Sequence, residues 1–231
     1  YERPGRLPDG AVSRRGRVVI QLDADRARQS RAIGVSLGGV QTPLPAGTLP
    51  AAKVRDLENF VTAGGALFSF PGRTFETAGV LAEGRGMANE LFWRQGQGLL
   101  PLRMLRVLGS DDLAADPWRF EFGADIPRSL AYFQDPRSRT IVSQTPITKI
   151  IELEPAEASG AEVLLWMRFS KALPSARPLP GIVARRIGKG IVVQFATSAD
   201  GRWNLLGPSG VLVPLVRELA YDATRKKGQM N

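Results

Sequence analysis

Cysteine and histidine are both missing from this 231-residue sequence. Without cysteine the chain has no disulfide, no thiolate nucleophile and no sulfur-ligated zinc or iron–sulfur centre. Without histidine it has no imidazole base, no Ser-His or Cys-His pair, and no histidine-bound metal. No cofactor and no metal site is expected. Aromatic residues are scarce at 7%, so stacking platforms for single-stranded nucleic acid are poorly supplied. No apolar run approaches the ~18 residues needed to cross a bilayer, and there is no signal-peptide core.

What remains is an ordinary globular balance, 43% apolar, with enough length for one large domain. The formal charge is +9, yet only six of the 31 basic residues are lysines. The arginines are scattered, with short pairs at Arg14-Arg15 and Arg185-Arg186 and one run at Arg225-Lys226-Lys227. A nucleic-acid surface gathers its charge on one face or helix, so a nucleic-acid partner is not expected. The sequence opens on Tyr1 and is expected to be cut from a longer polypeptide.

Residues 1–16 are rich in Pro, Gly and Arg and read as a linker or arm, residues 17–225 as a single α/β domain, and residues 226–231 as a basic tail. Apolar runs at 17–22 and 32–37 suit buried strands of a parallel sheet, whose two covered faces make them continuous rather than alternating. A helix is expected from an N-cap at Thr48, with Pro50 in its first turn and Val54, Leu57, Phe60 and Val61 on one face. Gly64-Gly65 stops it, and residues 66–70 form the next strand, closed by Pro71-Gly72. A short helix is expected near 87–94, turns through 111–139, and a hairpin over 140–154 as an antiparallel extension. Strands follow at 162–169, 181–187 and 190–197, the last two joined by Gly188-Lys189-Gly190. The closing helix places Leu212, Leu215, Val216 and Leu219 on one stripe, with Pro214 in its first turn.

Asp23-Ala-Asp25 is the sharpest chemical signal, because carboxylates at the carboxyl end of a parallel strand sit where open α/β sheets bind ligands. The pair resembles that of haloacid-dehalogenase-type phosphotransferases, with Asp23 as nucleophile, Asp25 as acid/base and Gly109-Ser-Asp-Asp112 in place of the magnesium-binding acidic loop. That family's phosphate-clamping cation has no counterpart, since no lysine lies between Lys53 and Lys149. A solvated turn or helix cap explains the same two acids. The segment from Gly84 to Asn89 lacks the third glycine of a phosphate loop and reads as a plain loop. Asp200, Trp203 and Asn204 follow the last strand and either line a pocket or pack and cap a turn.

Several segments together resemble one family. Residues 57–70, LENFVTAGGALFSF, are similar to the helix, Gly-Gly, strand unit of class I glutamine amidotransferase-like (flavodoxin-like) domains. NELFWR at 89–94, GLLP at 98–101, GKGIVVQFAT at 188–197, Trp203-Asn204 and VPLVREL at 213–219 resemble a subgroup found in bacterial membrane-anchored proteins, often alongside a von Willebrand factor A domain. The resemblance implies a three-layer α/β fold with a mostly parallel sheet flanked by helices. Active members carry a Cys on the turn after the elbow strand and a His–Glu pair beside it. Here that turn holds Ser69-Phe70-Pro71-Gly72, and nothing can activate Ser69. The expectation is therefore a non-catalytic binding or assembly module for a protein or small ligand. It would be the soluble part of a cell-envelope protein, reaching the membrane through segments beyond these residues. Phosphoryl transfer through Asp23 and Asp25, and nucleic-acid binding, are the two alternatives. The candidate pocket comprises Ser69 and Arg73 after one strand, Asp200, Trp203 and Asn204 after another, and Asn89 and Trp93 above them.

Overall fold

The computed structural model describes residues 18–21, 51–76, 80–112, 117–155, 160–173, 175–199 and 201–224. The expected arm at 1–16, the strand at 32–37, the cap at Thr48, the acids Asp23, Asp25 and Asp200, and the tail at 226–231 lie outside them.

Strand β1 (Val18–Gln21) falls inside the first apolar run. Helix α1 (Ala51–Thr62) buries Val54 and Val61 and half-buries Leu57 and Phe60, the stripe its spacing requires. Gly64, at φ +115°, ends the helix in the left-handed region, and the chain turns directly into β2 (Ala66–Ser69). Then come α2 (Met87–Phe92), β3 (Met104–Gly109), β4 (Trp118–Glu121), α3 (Pro136–Gln144) and β5 (Lys149–Leu153). The chain closes with β6 (Glu162–Phe169), β7 (Leu179–Ile187), β8 (Gly190–Phe195) and α4 (Leu212–Thr224).

Six described strands form one sheet in the order β1-β2-β8-β7-β6-β4, and β3 pairs with β5 in a second, two-stranded sheet. Pairing of β1 with β2 and of β2 with β8 is parallel. The pairs β8–β7, β7–β6 and β6–β4 are antiparallel, so the sheet is mixed rather than mostly parallel. The reason is connection length. A parallel neighbour needs a crossover of a dozen or more residues, whereas β7 and β8 are joined by the tight turn at Gly188-Lys189.

The expected hairpin over 140–154 is also corrected, because its first half is helix α3. Asp135 caps that helix by accepting the Ser138 N–H at 2.8 Å, and Pro136 occupies the first turn. A cap followed by proline outweighs a short alternation. β5 instead pairs with β3, forty residues earlier in the chain: Gly109 lies opposite Lys149, and Met104 opposite Leu153.

Strand alternation separates two cores. Leu67 and Val192 face α1 with Val54, Val61 and Leu99. Ala66, Phe68, Ile191 and Val193 face the opposite side, where α4 contributes Leu215 and Leu219 to the larger cluster. Helices thus cover both faces of β2 and β8. Among the described residues no helix is long and apolar enough to cross a membrane.

Gly190 lets the end of α1 meet the start of β8, since a Cβ there would collide with the carbonyl oxygens of Val61 and Gly65. Gly190→Ala should therefore lower unfolding free energy by about 2 kcal/mol or more, read from urea denaturation, because backbone rather than a flexible side chain would have to move.

Candidate functional site

The carboxyl ends of β2 and β8 carry the densest polar cluster. Past β2, Pro71-Gly72 leads into a 3-10 turn (Arg73–Glu76) in which the Phe75 N–H donates to the Gly72 carbonyl at 3.0 Å. That turn brings the Glu76 carboxylate to two donors. Lys149 Nζ lies 3.0 Å from Oε1, and the Trp203 indole N–H donates to the same oxygen at 2.8 Å. A second carboxylate, Asp111 Oδ1, lies 2.7 Å from Lys149 Nζ.

Each member is placed by a main-chain anchor. The start of β5 is sewn to the residues after β8, with Ile151 N–H donating to Ala196 O at 2.7 Å and Thr197 Oγ1 to Lys149 O at 3.0 Å. The Trp203 carbonyl accepts from both Thr148 N–H (2.7 Å) and Lys149 N–H (3.1 Å). Asp111 arrives because β3 ends at Gly109, with φ +103°, where a Cβ would strike the Thr148 carbonyl. The Gly109–Asp112 segment, read from sequence as a counterpart of a magnesium loop, thus supplies an ion-pair partner to a lysine. Among the described residues, no group of three or more carboxylates stands together as a metal site.

Lys149 is only 10% exposed at its side chain, whereas Asp111 is 83% exposed. Burial by itself lowers the lysine's pKa. The hydrogen bonds to Asp111 and Glu76, with the charges behind them, outweigh that and hold it above the ordinary value. The ammonium is therefore fully charged at neutral pH and offers no free base.

Trp203 and Asn204 belong to this cluster, but as supports. Trp203 is 1% exposed and packs in the larger core. Asn204 donates to Thr197 Oγ1 (3.1 Å) and Ser198 O (2.6 Å) and accepts the Leu206 N–H (3.0 Å), which stitches the turn.

The other proposed pocket residues are not brought together with them. Ser69 shares a face with Leu67 and lies opposite Gln194 in register, on the α1 side of the sheet, whereas Phe70 stacks on Phe195 on the Trp203 side at 4.1 Å. Arg73 opens the turn that carries Glu76. Asn89 is buried and its amide clips the Met104 backbone, donating to the carbonyl at 2.6 Å and accepting the N–H at 2.9 Å. Trp93 lies under the Arg103 guanidinium, 5.4 Å from its ring centre. Met104 pairs with Leu153 at the far end of β5, about 13 Å along the strand from Lys149. That spacing sets Asn89 apart from the cluster around Lys149 and Trp203.

Glu76 and Lys149 carry no site expectation in the sequence, and Asp111 carries one only as part of the Gly109–Asp112 acidic segment. The available signal was a lysine at the head of an apolar strand in a chain whose cations are mostly arginine.

Trp203→Phe should cost about 1 kcal/mol by deleting one hydrogen bond while keeping the ring. Lys149→Met should cost about 1–3 kcal/mol in the neutral range, since it leaves Glu76 without its charged partner. A folded-state pKa above the unfolded one means the Lys149 contribution is complete below about pH 10.5 and lost as pH rises through the folded value. The stability gap between wild type and Lys149→Met should thus be flat from neutral pH to about 10 and close above it, measured by denaturation at stepped pH.

No family model matches the chain, and no curated protein matches it. Among solved structures it is similar to the cytoplasmic protein STM1381 of Salmonella typhimurium LT2, with TM-score 0.51 and 14% identity over 75% of this chain and 61% of that one. The cytoplasmic protein STM3548 of Salmonella typhimurium aligns at TM-score 0.46 and 12% identity, over 90% and 71% of the two chains. A β-galactosidase from Bacillus circulans sp. alkalophilus aligns at TM-score 0.41 and 13% identity, over 71% of this chain and 20% of the enzyme. The chain thus spans less than two thirds of the first of these and a fifth of the galactosidase. At 14% identity the likeness to STM1381 is one of fold alone.

Proposed function

We propose that this chain is a non-catalytic, amidotransferase-like α/β domain that serves as a binding or assembly module within a larger membrane-associated bacterial protein. The observation that carries this reading is the pairing of Lys149 with two carboxylates. Open α/β sheets hold ligands beyond the carboxyl ends of their parallel strands. In this chain that place is taken by an ammonium bound to two carboxylates, one of which also receives a buried indole. A nucleophile needs an adjacent base or a lowered pKa, and the cluster supplies neither. The sequence supports the same reading, because the thiol and imidazole used by the resembled family are missing from it. The Gly-Gly unit supports the family likeness, with α1, Gly64-Gly65 and β2 in the order that the resemblance requires.

The purified chain should release no ammonia from glutamine and should hydrolyse neither p-nitrophenyl acetate nor, with magnesium, p-nitrophenyl phosphate above the buffer rate. Turnover that disappears in Ser69→Ala or Lys149→Met would overturn the proposal.

A further inference from the structure

At the opposite flank of the six-stranded sheet, the end strand β4 borders a groove of about 600 Å³. Arg119, Glu121 and Phe122 line it from β4 and its exit, Arg139 and Ser143 from α3, and Arg168 from β6. Arg119 lies directly opposite Arg168 in the antiparallel register, a like-charge pairing that weakens a sheet. Glu121 offsets half of it. Its carboxylate takes Arg168 in a two-point grip, 2.5 Å from Nε and 3.2 Å from Nη2, while Nη1 donates to Ala176 O at 2.9 Å. Arg168 is thereby spent.

Among the described residues, two guanidiniums are left without a carboxylate. Arg119 is exposed, and beyond its backbone pairing with β6 its guanidinium has no ion pair or hydrogen bond among those residues. Arg139 lies over the Phe122 ring at 5.8 Å and reaches only the carbonyls of Phe133 (3.4 Å) and Gln134 (3.5 Å), at the limit of hydrogen bonding. Gathering cations without carboxylate partners in one groove costs electrostatic energy in the free protein and is recovered when an anion enters.

We infer that this groove docks an acidic peptide segment of a partner protein, with its carboxylates on Arg119 and Arg139 and an apolar side chain against Phe122. Three features select this occupant. The guanidinium fork matches a carboxylate at two points, as Glu121 on Arg168 already displays inside the groove. The half-buried Phe122 ring, which shares the groove lining with both arginines, suits a hydrocarbon side chain flanked by acids. Three arginines against the one carboxylate of Glu121 leave a small positive surplus, which suits a peptide with a few carboxylates better than a backbone charged at every nucleotide. This docking rests on the binding-module function proposed above and gives it a partner class.

The test is fluorescence anisotropy with a fluorescein-labelled peptide of alternating glutamate and leucine. Its glutamine–leucine counterpart and a labelled oligothymidylate serve as competing probes. Binding of the acidic peptide should weaken about tenfold or more in Arg119→Glu and in Arg139→Glu, the loss of one charge-assisted contact each. Arg55→Glu, on the exposed side of α1, should bind like wild type. Arg119→Gln guards against misfolding and should give an intermediate loss with an unchanged circular dichroism spectrum. The docking proposal is overturned by no saturable binding at about 1 mM peptide, by equal affinity for the glutamine peptide, by tighter binding of oligothymidylate, or by insensitivity to Arg119. Those results leave catalytic silence intact. Turnover of glutamine or a phosphate ester would instead defeat the module reading, whatever the peptide does.

Discussion

All six residues of β8 are buried, and the strand pairs in parallel with β2 on one side and antiparallel with β7 on the other. Both its faces therefore meet protein, α1's core on one and α4's on the other, and neither can carry an unsatisfied polar group. That constraint explains its sequence, GIVVQF, in which one polar residue stands among apolar ones. Gln194 is tolerated because both ends of its amide are bonded, accepting Leu102 N–H at 2.9 Å and donating to Leu102 O at 3.2 Å. The same clip fixes the 99–102 segment over Leu67 and Val192, so the polar exception also completes the smaller core. Where β8 ends, Ala196 and Thr197 hold the head of β5, and with it Lys149.

The cluster around Lys149 illustrates how burial and pairing balance. Taking an ammonium out of water is costly, and the attraction of its partners repays that only if the remaining donors are also satisfied. Two carboxylates meet Nζ, and the shared oxygen of Glu76 is further held by Trp203. The exposure of Asp111 keeps part of the charge in contact with solvent, which moderates both cost and gain. Such an arrangement joins four separate parts of the chain: the turn after β2, the end of β3, the start of β5 and the loop before α4. Its chemistry is that of a fastener.

Elements with one dominant local signal were legible in the sequence. α1 declared itself through the Val54, Leu57, Phe60, Val61 stripe and Gly64-Gly65. β6, β7 and β8 were marked by β-branched runs and the Gly188-Lys189 turn, and α4 by its own stripe. The same turn contained the correction to the sheet, because a tight hairpin obliges β7 and β8 to be antiparallel. β4 was lost among turn signals, since four residues leave almost no period to read. The site was legible in its aromatic and amide residues and, in another role, in the acidic segment that holds Asp111. Trp203 and Asn204 follow a recognisable strand, but Glu76, Asp111 and Lys149 lie far apart in sequence and meet only because β3 pairs with β5 and β5 abuts the end of β8. Long-range pairing of that kind leaves no local trace.

The basic surplus divides once the partners of individual arginines are known. Arg185, one of the sequence's adjacent pair, turns inward and donates to the carbonyls of Gly96 and Gly98, and burial pushes its pKa below the ordinary value. Arg103 bridges Gly84 O at 2.8 Å and the Trp93 ring, while Gly84, at φ +88°, leaves room for the guanidinium. The glycine-rich stretch there is thus a seat for an arginine and not for a phosphate. These side chains replace missing secondary structure by binding carbonyls of irregular segments, for which a fork of five donors is better suited than a lysine point charge. A high arginine count can therefore reflect support of backbone carbonyls as well as surface charge. The arginines that matter for recognition are those whose donors remain unspent after the backbone and the acids have been served.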